Sequence, residues 1–304
     1  MLSGLHTSGH DQAARRVKRP FKAAPYTFGF TVIEVMIVLA VTGLLFVVSA
    51  ALISGRQNKA EFDQSIHQIQ AQIQQTINEV ATGYYPNTGN LKCQASGGVV
   101  SISSGSGTGQ GANAGCIFLG KAMQFKVGST DPEQYNTFTI AGLQKGGAGG
   151  TESSSLSEAK PKVVAPSSSE TNLPDSTVTD TMQGGLTTYK MWYNNGAGDK
   201  QIGIVAFTLS LANYGTNGAI TSGSQEVDVV PIDDGNIDSA LGVGKVAAVD
   251  GVNSKLQSSP VNPSNGVFVC FVSGTTDQSG LVTIGNNNRQ LSVSLDIKSN
   301  KTCS

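Results

Sequence analysis

Residues 29–53 read GFTVIEVMIVLAVTGLLFVVSAALI, and the character of this stretch decides how the rest of the chain is organised. From Phe30 to Ile53 the only charged residue is Glu34. At about 1.5 Å of rise per residue a helix over these positions covers roughly 36 Å, enough to cross a bilayer. Arg56 and Lys59 close the apolar run.

Beyond it the apolar pattern changes period instead of stopping. Phe62, Ile66, Ile69, Ile73, Ile77 and Val80 follow at steps of four or three, with Gln, Asn, Glu, Asp and His between them. That spacing predicts an amphipathic helix with one apolar stripe. Gly83, Tyr84, Tyr85 and Pro86 supply a stop. With no proline between residues 30 and 82, both parts are expected to run as one rod of about 80 Å. The organisation that follows is a leader over 1–29, a transmembrane helix over 30–53, an amphipathic helix over 54–82 and a head domain over 83–304.

The charges agree with that orientation. Upstream of Gly29 lie Arg15, Arg16, Lys18, Arg19 and Lys22 against the single acid Asp11, while the rest of the chain carries 15 basic and 20 acidic residues. A basic start before an apolar run keeps the start in the cytoplasm and exports the remainder. The acidic exported part has no electrostatic footprint for nucleic acid, so no nucleic-acid partner is expected.

Glu34 is the unusual residue. A carboxylate in a spanning segment costs about 2.5–3.5 kcal/mol near the bilayer centre and less at an end. A cut after Gly29 would place a new α-amino group one helical turn upstream, and the amine of a neighbouring chain would neutralise the carboxylate when helices pack side by side. Two other readings compete: an ordinary signal-anchor helix carrying a stray Glu, and a secretory signal peptide cut after Ala50, where Val48-Ser49-Ala50 fits the small-residue rule. Against the second, the amphipathic stripe begins without an intervening loop.

The run Gly29-Phe30-Thr31-Val32-Ile33-Glu34 behind a basic leader resembles the prepilin junction of type IV pilins and type II secretion pseudopilins. The resemblance implies cleavage between Gly29 and Phe30 by a prepilin peptidase, N-methylation of Phe30, and pairing of Glu34 with the Phe30 amine of an adjacent subunit. It also implies the partners: membrane lipid before assembly, the inner-membrane assembly machinery, and other pilin subunits through the N-terminal helix. Gly43 falls where family helices often carry glycine, whereas Ala51 stands where they usually carry proline. The likeness covers residues 24–60 and continues faintly to Thr82.

The exported part is rich in Gly, Ser, Thr and Asn, with 37 glycines in the chain and 13% charged residues. Strand-like segments fall at 137–143, 186–193, 202–211, 226–232, 267–272 and 290–297, several of them alternating clearly. No second long helical period is evident. The fold class expected is therefore α+β: a long N-terminal helix, membrane-spanning in its first half and amphipathic in its second, packed on an antiparallel β-sheet head. The stretch 145–180, with Pro161, Pro166 and Pro174 among many serines, reads as a linker or surface loop.

Cys93, Cys116, Cys270 and Cys303 show no C-x-x-C spacing, and His67 is the only histidine after residue 29. A zinc site is not expected. Spread cysteines on an exported chain form disulfides; three connectivities are open, of which Cys93–Cys116 and Cys270–Cys303 each close a local loop. Asp233, Asp234, Asn236 and Asp238 form an oxygen-rich cluster of the kind calcium takes, without the spacing of an EF-hand. An acidic turn is the simpler reading, and no cofactor is expected.

Motifs for nucleophilic, phosphate-binding or zinc-dependent catalysis are missing, so the expectation is a non-enzyme. Its function is a structural subunit, minor or specialised, of a type IV pilus-like filament, located first as a single-pass inner-membrane protein and then in an extracellular filament. The alternatives are a type II secretion pseudopilin and an adhesin head on a pilin stem, with exposed Tyr and the lone Trp192 as ligand contacts.

Overall fold

A computed structural model describes residues 29–83, 91–96, 99–105, 115–194, 196–211, 226–232, 243–258, 266–287 and 290–303. The leader upstream of Gly29 lies outside the described residues. The fold is α+β, with one N-terminal apolar helix and antiparallel sheets. The chain divides into two units, residues 1–52 and 53–304.

Helix α1 runs over Val32–Ala81 and belongs to both units. In the first unit its window Val32–Ala50 is long and apolar enough to cross a membrane, and none of that window is buried. Thr42 keeps its hydroxyl satisfied within the apolar run by donating to the carbonyls of Val38 at 2.8 Å and Leu39 at 3.1 Å. The helix ends where Thr82 donates its amide to Asn78 and Gly83 donates to Val80. Gly83 takes φ +64°, the left-handed conformation that terminates helices at glycine.

Among the described residues the second unit holds three sheets, in which every registered pairing is antiparallel. Strands β1 (Leu91–Ser96) and β2 (Val99–Ser104) form a hairpin. The largest sheet has the order β10-β9-β3-β4-β5, from β10 (Val227–Pro231), β9 (Ile204–Leu209), β3 (Cys116–Phe125), β4 (Gln134–Leu143) and β5 (Lys162–Val163), with β6 (Val178–Thr181) also on β4. The third sheet has the order β13-β12-β11-β7-β8, from β13 (Gln290–Lys298), β12 (Ser279–Asn287), β11 (Val267–Ser273), β7 (Leu186–Asn194) and β8 (Asp199–Gln201).

Burial explains the strand sequences. One core cluster contains Phe62, Ile66, Ile69, Ile73, Ile77 and Val80 together with Met123, Phe207, Met191, Phe271 and Ile284 from the two larger sheets. The opposite face of the β3-centred sheet is covered as well. There Ala122, Phe138, Ile140, Ile204 and Ala206 meet Ala248, Val249, Val252 and Leu256. Covered on both faces, β9 reads Ile-Val-Ala-Phe-Thr-Leu without alternation and is buried throughout. The β11–β7 sheet is less completely covered, and β7 alternates buried and half-buried positions from Met191 to Asn194.

Strands β1, β2, β8 and β12 lie outside the six expected segments, and three larger features also depart from the sequence expectation. The covering helix, α3 (Lys245–Ser258), is one: Gly251 and two Asn/Asp positions blur its stripe of Ala248, Val249, Val252 and Leu256. The second is the central strand β3, whose apolar run is interrupted by Gly120 and Lys121. The register shifts between Phe118 and Gly120, and a Cβ at 120 would overlap the Phe207 carbonyl oxygen. Glycine marks a bulge there, not a loop.

The third is the stretch 145–180, which is built into the head instead of linking it. Ser153, Ala159, Lys162, Val163, Val164, Ala165 and Ser167 are buried. The short helix α2 (Leu156–Ala159) is capped by Ser155, which accepts from the Glu158 amide at 3.2 Å. Ser153 Oγ donates to the Leu143 carbonyl at 2.7 Å and accepts from the Gly146 amide at 2.9 Å. The serines satisfy buried backbone, which is why a polar composition coexists with burial.

Candidate functional site

The start of α1 is the candidate site, and it is assembled from three consecutive local decisions. Gly29 and Phe30 are exposed and precede the first helical turn. Thr31 is the N-cap: its hydroxyl accepts from the Glu34 amide at 3.3 Å, and its carbonyl accepts from the amides of Glu34 and Val35. Glu34 lies in the first turn, where a carboxylate interacts favourably with the helix dipole. Thr31-Val32-Ile33-Glu34 thus follows the S/T-x-x-E signature of a capping box. Thr31 caps the helix, a role the sequence expectation did not assign although the four-residue signature is visible.

This arrangement gives Glu34 a local reason to exist besides any intermolecular one. A Cβ built at residue 29 meets nothing within 4 Å, so the fold itself does not require glycine there. Gly43 is in the same situation inside the helix, again with open space around it.

The cysteines are joined as Cys93–Cys116 and Cys270–Cys303, with Cα separations of 4.9 and 5.9 Å. The first bridge links β1 to the start of β3, and Cys93 is part of a small core with Leu91, Val100, Ile102 and Val164. The second ties β11 to residue 303, five positions beyond the end of β13. Asp233, Asp234, Asn236 and Asp238 lie outside the described residues. Among the described residues there is no group of three or more His, Cys, Asp or Glu side chains able to hold a metal.

Titratable groups with shifted behaviour do not converge on one place. Tyr135 on β4 is pushed up to about 12 by burial, with the Asp180 charge adding to it. Lys162 on β5 is pulled down by burial while paired with Glu170. Asp228 on β10 is raised by burial and by the neighbouring Glu226 charge. His67 is exposed on α1, its Nδ1 3.3 Å from Gln70 Oε1. Tyr135, Lys162 and His67 each have a polar partner of their own, Asp180, Glu170 and Gln70, whereas the charge beside Asp228 is the like-signed Glu226.

Comparison with protein-family models, with curated proteins and with solved structures returned no match for this chain.

Proposed function

We propose that this chain is a structural subunit, minor or specialised, of a type IV pilus-like filament. In this reading it is cut between Gly29 and Phe30, methylated on Phe30, held in the inner membrane by the first half of α1, and then assembled through that helix. The second half of α1 is the stem on which the β-sheet head is packed, and the protein acts by assembly, not catalysis.

One observation carries the reading. Gly29 and Phe30 are exposed and extra-helical immediately before a capped helix whose apolar window is unburied and whose first turn holds Glu34. An exposed, non-helical peptide is what a protease can bind, and a glycine without a steric role in the fold is what an external enzyme's preference would explain. An unburied apolar surface needs lipid first and other helices afterwards. The stripe Phe62–Val80, buried in its own unit, is not available for that purpose.

The deciding measurement is N-terminal sequencing and intact mass of the protein extracted from membranes. A Phe30 start heavier by one methyl group is expected. An uncut chain, or one beginning at Ala51, would overturn the proposal. Gly29→Ala is expected to leave the head fold unchanged while slowing or blocking the cut.

A further inference from the structure

We infer that the β11–β7 face turned away from the core is a binding site for a neutral hexopyranoside sugar, built around Tyr189, Trp192 and the Cys270–Cys303 bridge. It goes beyond the filament reading and does not depend on it.

The inference begins with a bulge. Along β7, Met191 and Tyr193 are buried in the core, so Lys190 and Trp192 point to the other face. Strict alternation would send Tyr189 inward. Instead the register shifts: Cys270 pairs with Lys190, but Phe271 pairs with Thr188, leaving Tyr189 as the extra residue. Thr188 takes the buried position and Tyr189 is 61% exposed. The other two tyrosines among the described residues, Tyr135 and Tyr193, are 6% and 1% exposed. Bulges re-aim side chains at functional places, and this one sets Tyr189 on the same side as Lys190 and Trp192.

The neighbouring side chains are held ready. Trp192 and Phe268 are cross-strand partners whose rings stack at 5.5 Å and 17°. Lys190 Nζ lies 4.8 Å from the Trp192 ring centroid. Asp199 on β8 accepts from Asn194 Nδ2 at 3.1 Å, which fixes its carboxylate. Tyr189, Lys190, Trp192 and Asp199, with Thr302 and the Cys270–Cys303 disulfide, line a cavity of about 370 Å³, within the range of small-molecule sites. A platform ordered before binding avoids much of the entropy cost of association.

The chemistry of the lining selects the ligand class. Aromatic rings offer flat apolar surface to the C–H face of a pyranose ring. Lys190 donates, Asp199 accepts and the Thr302 hydroxyl does both, which suits a ring of hydroxyls. One cation and one carboxylate on the same rim favour a neutral polyol over an anion, and the carboxylate opposes a phosphate backbone.

Trp192 is the only tryptophan in the chain, so intrinsic emission reports this site alone. The experiment titrates the full-length protein, in a detergent lacking a sugar headgroup, with methyl β-galactopyranoside and methyl β-glucopyranoside. A saturable change in Trp192 emission with a Kd of about 1–10 mM for at least one of them is expected. Tyr189→Ala, at an exposed position, should weaken that binding about tenfold or more, and Tyr189→Phe should keep it within about threefold. The inference fails if neither glycoside gives a saturable response up to about 50 mM. It fails equally if Tyr189→Ala binds like the parent, or if only sialyllactose or an oligothymidylate binds. None of these outcomes bears on whether Gly29–Phe30 is cut.

Discussion

The amide of Glu34 donates to the hydroxyl of Thr31 at 3.3 Å, so the residue nominated for contact between subunits also sits inside the cap of its own helix. On the filament reading two contributions are superimposed at one turn: a cap that holds the helix start, and a carboxylate for the amine of a neighbouring subunit. They separate by substitution. Thr31→Ala removes the cap oxygen and should cost about 1 kcal/mol of local helix stability while filaments still form. Glu34→Gln keeps a first-turn amide side chain, a hydrogen-bonding group, but removes the charge. It should reduce incorporation into sheared filaments at least about tenfold, the loss expected for about 1.4 kcal/mol or more of pairing energy. Immunoblots of sheared and membrane fractions read both; equal filament yield from Glu34→Gln would leave the cap as its only contribution.

Glu79 near the end of α1 and Lys121 on β3 form an ion pair in which the lysine side chain is 9% and the glutamate 20% exposed. Glu79→Ala strands a buried ammonium and should destabilise the head by about 2–3 kcal/mol, the partial exposure of the glutamate keeping it below the full cost for a wholly buried pair. Replacing both partners, with Glu79→Gln and Lys121→Met, should come within about 1 kcal/mol of the parent. Urea unfolding followed through Trp192 emission gives both values, and equal losses from the single and double variants would show that the charge pairing contributes nothing.

Gly120 is where β3 bulges against β9, and a side chain there would strike the Phe207 carbonyl. Gly120→Ala should therefore cost about 3 kcal/mol or more, since backbone on both sides must shift. Circular dichroism melting of the extracted protein tests this. An unchanged midpoint would mean that the bulge relaxes without cost.

The Asp228 carboxyl is raised from its ordinary value because burial and the Glu226 charge both disfavour its ionised form. The sign follows from linkage: between the unfolded and folded pKa values the native state binds more protons, so stability falls as pH rises through that window. The window opens near the usual aspartate value of about 3.9 and closes at the raised one. Asp228→Asn should remove that fall and leave the protein more stable at neutral pH. Urea midpoints measured from pH 4 to pH 7 check it, and a steeper fall in the variant would reverse the assignment.

The first unit was legible because its determinants are local. The apolar window and the placement of Gly29, Phe30 and Glu34 are written within a few residues of one another, and the Thr31 cap, which the sequence expectation did not assign, lies in the same turn. So was the stripe of Phe62 to Val80, whose spacing carries the helical period directly. All six strand segments read from alternation or apolar runs fall on β4, β7, β9, β10, β11 and β13, because a strand's period of two survives without knowledge of its neighbours.

What the tertiary structure alone decided depends on contacts distant in sequence. Gly120 is only a break in an apolar run until β9 lies against it, and Ser153 reads as linker until Leu143 and Gly146 use its hydroxyl. Which cysteines join is fixed by the pairing of strands, since β1 must come beside β3 before Cys93 can reach Cys116. Tyr189 is the sharpest case. Strict alternation from the buried Met191 and Tyr193 would turn it inward, and only the shift of register against Phe271 turns it outward beside Trp192. Period and charge are properties of a segment, whereas facing and proximity are properties of a pair, and the second kind exists only once the sheets have formed.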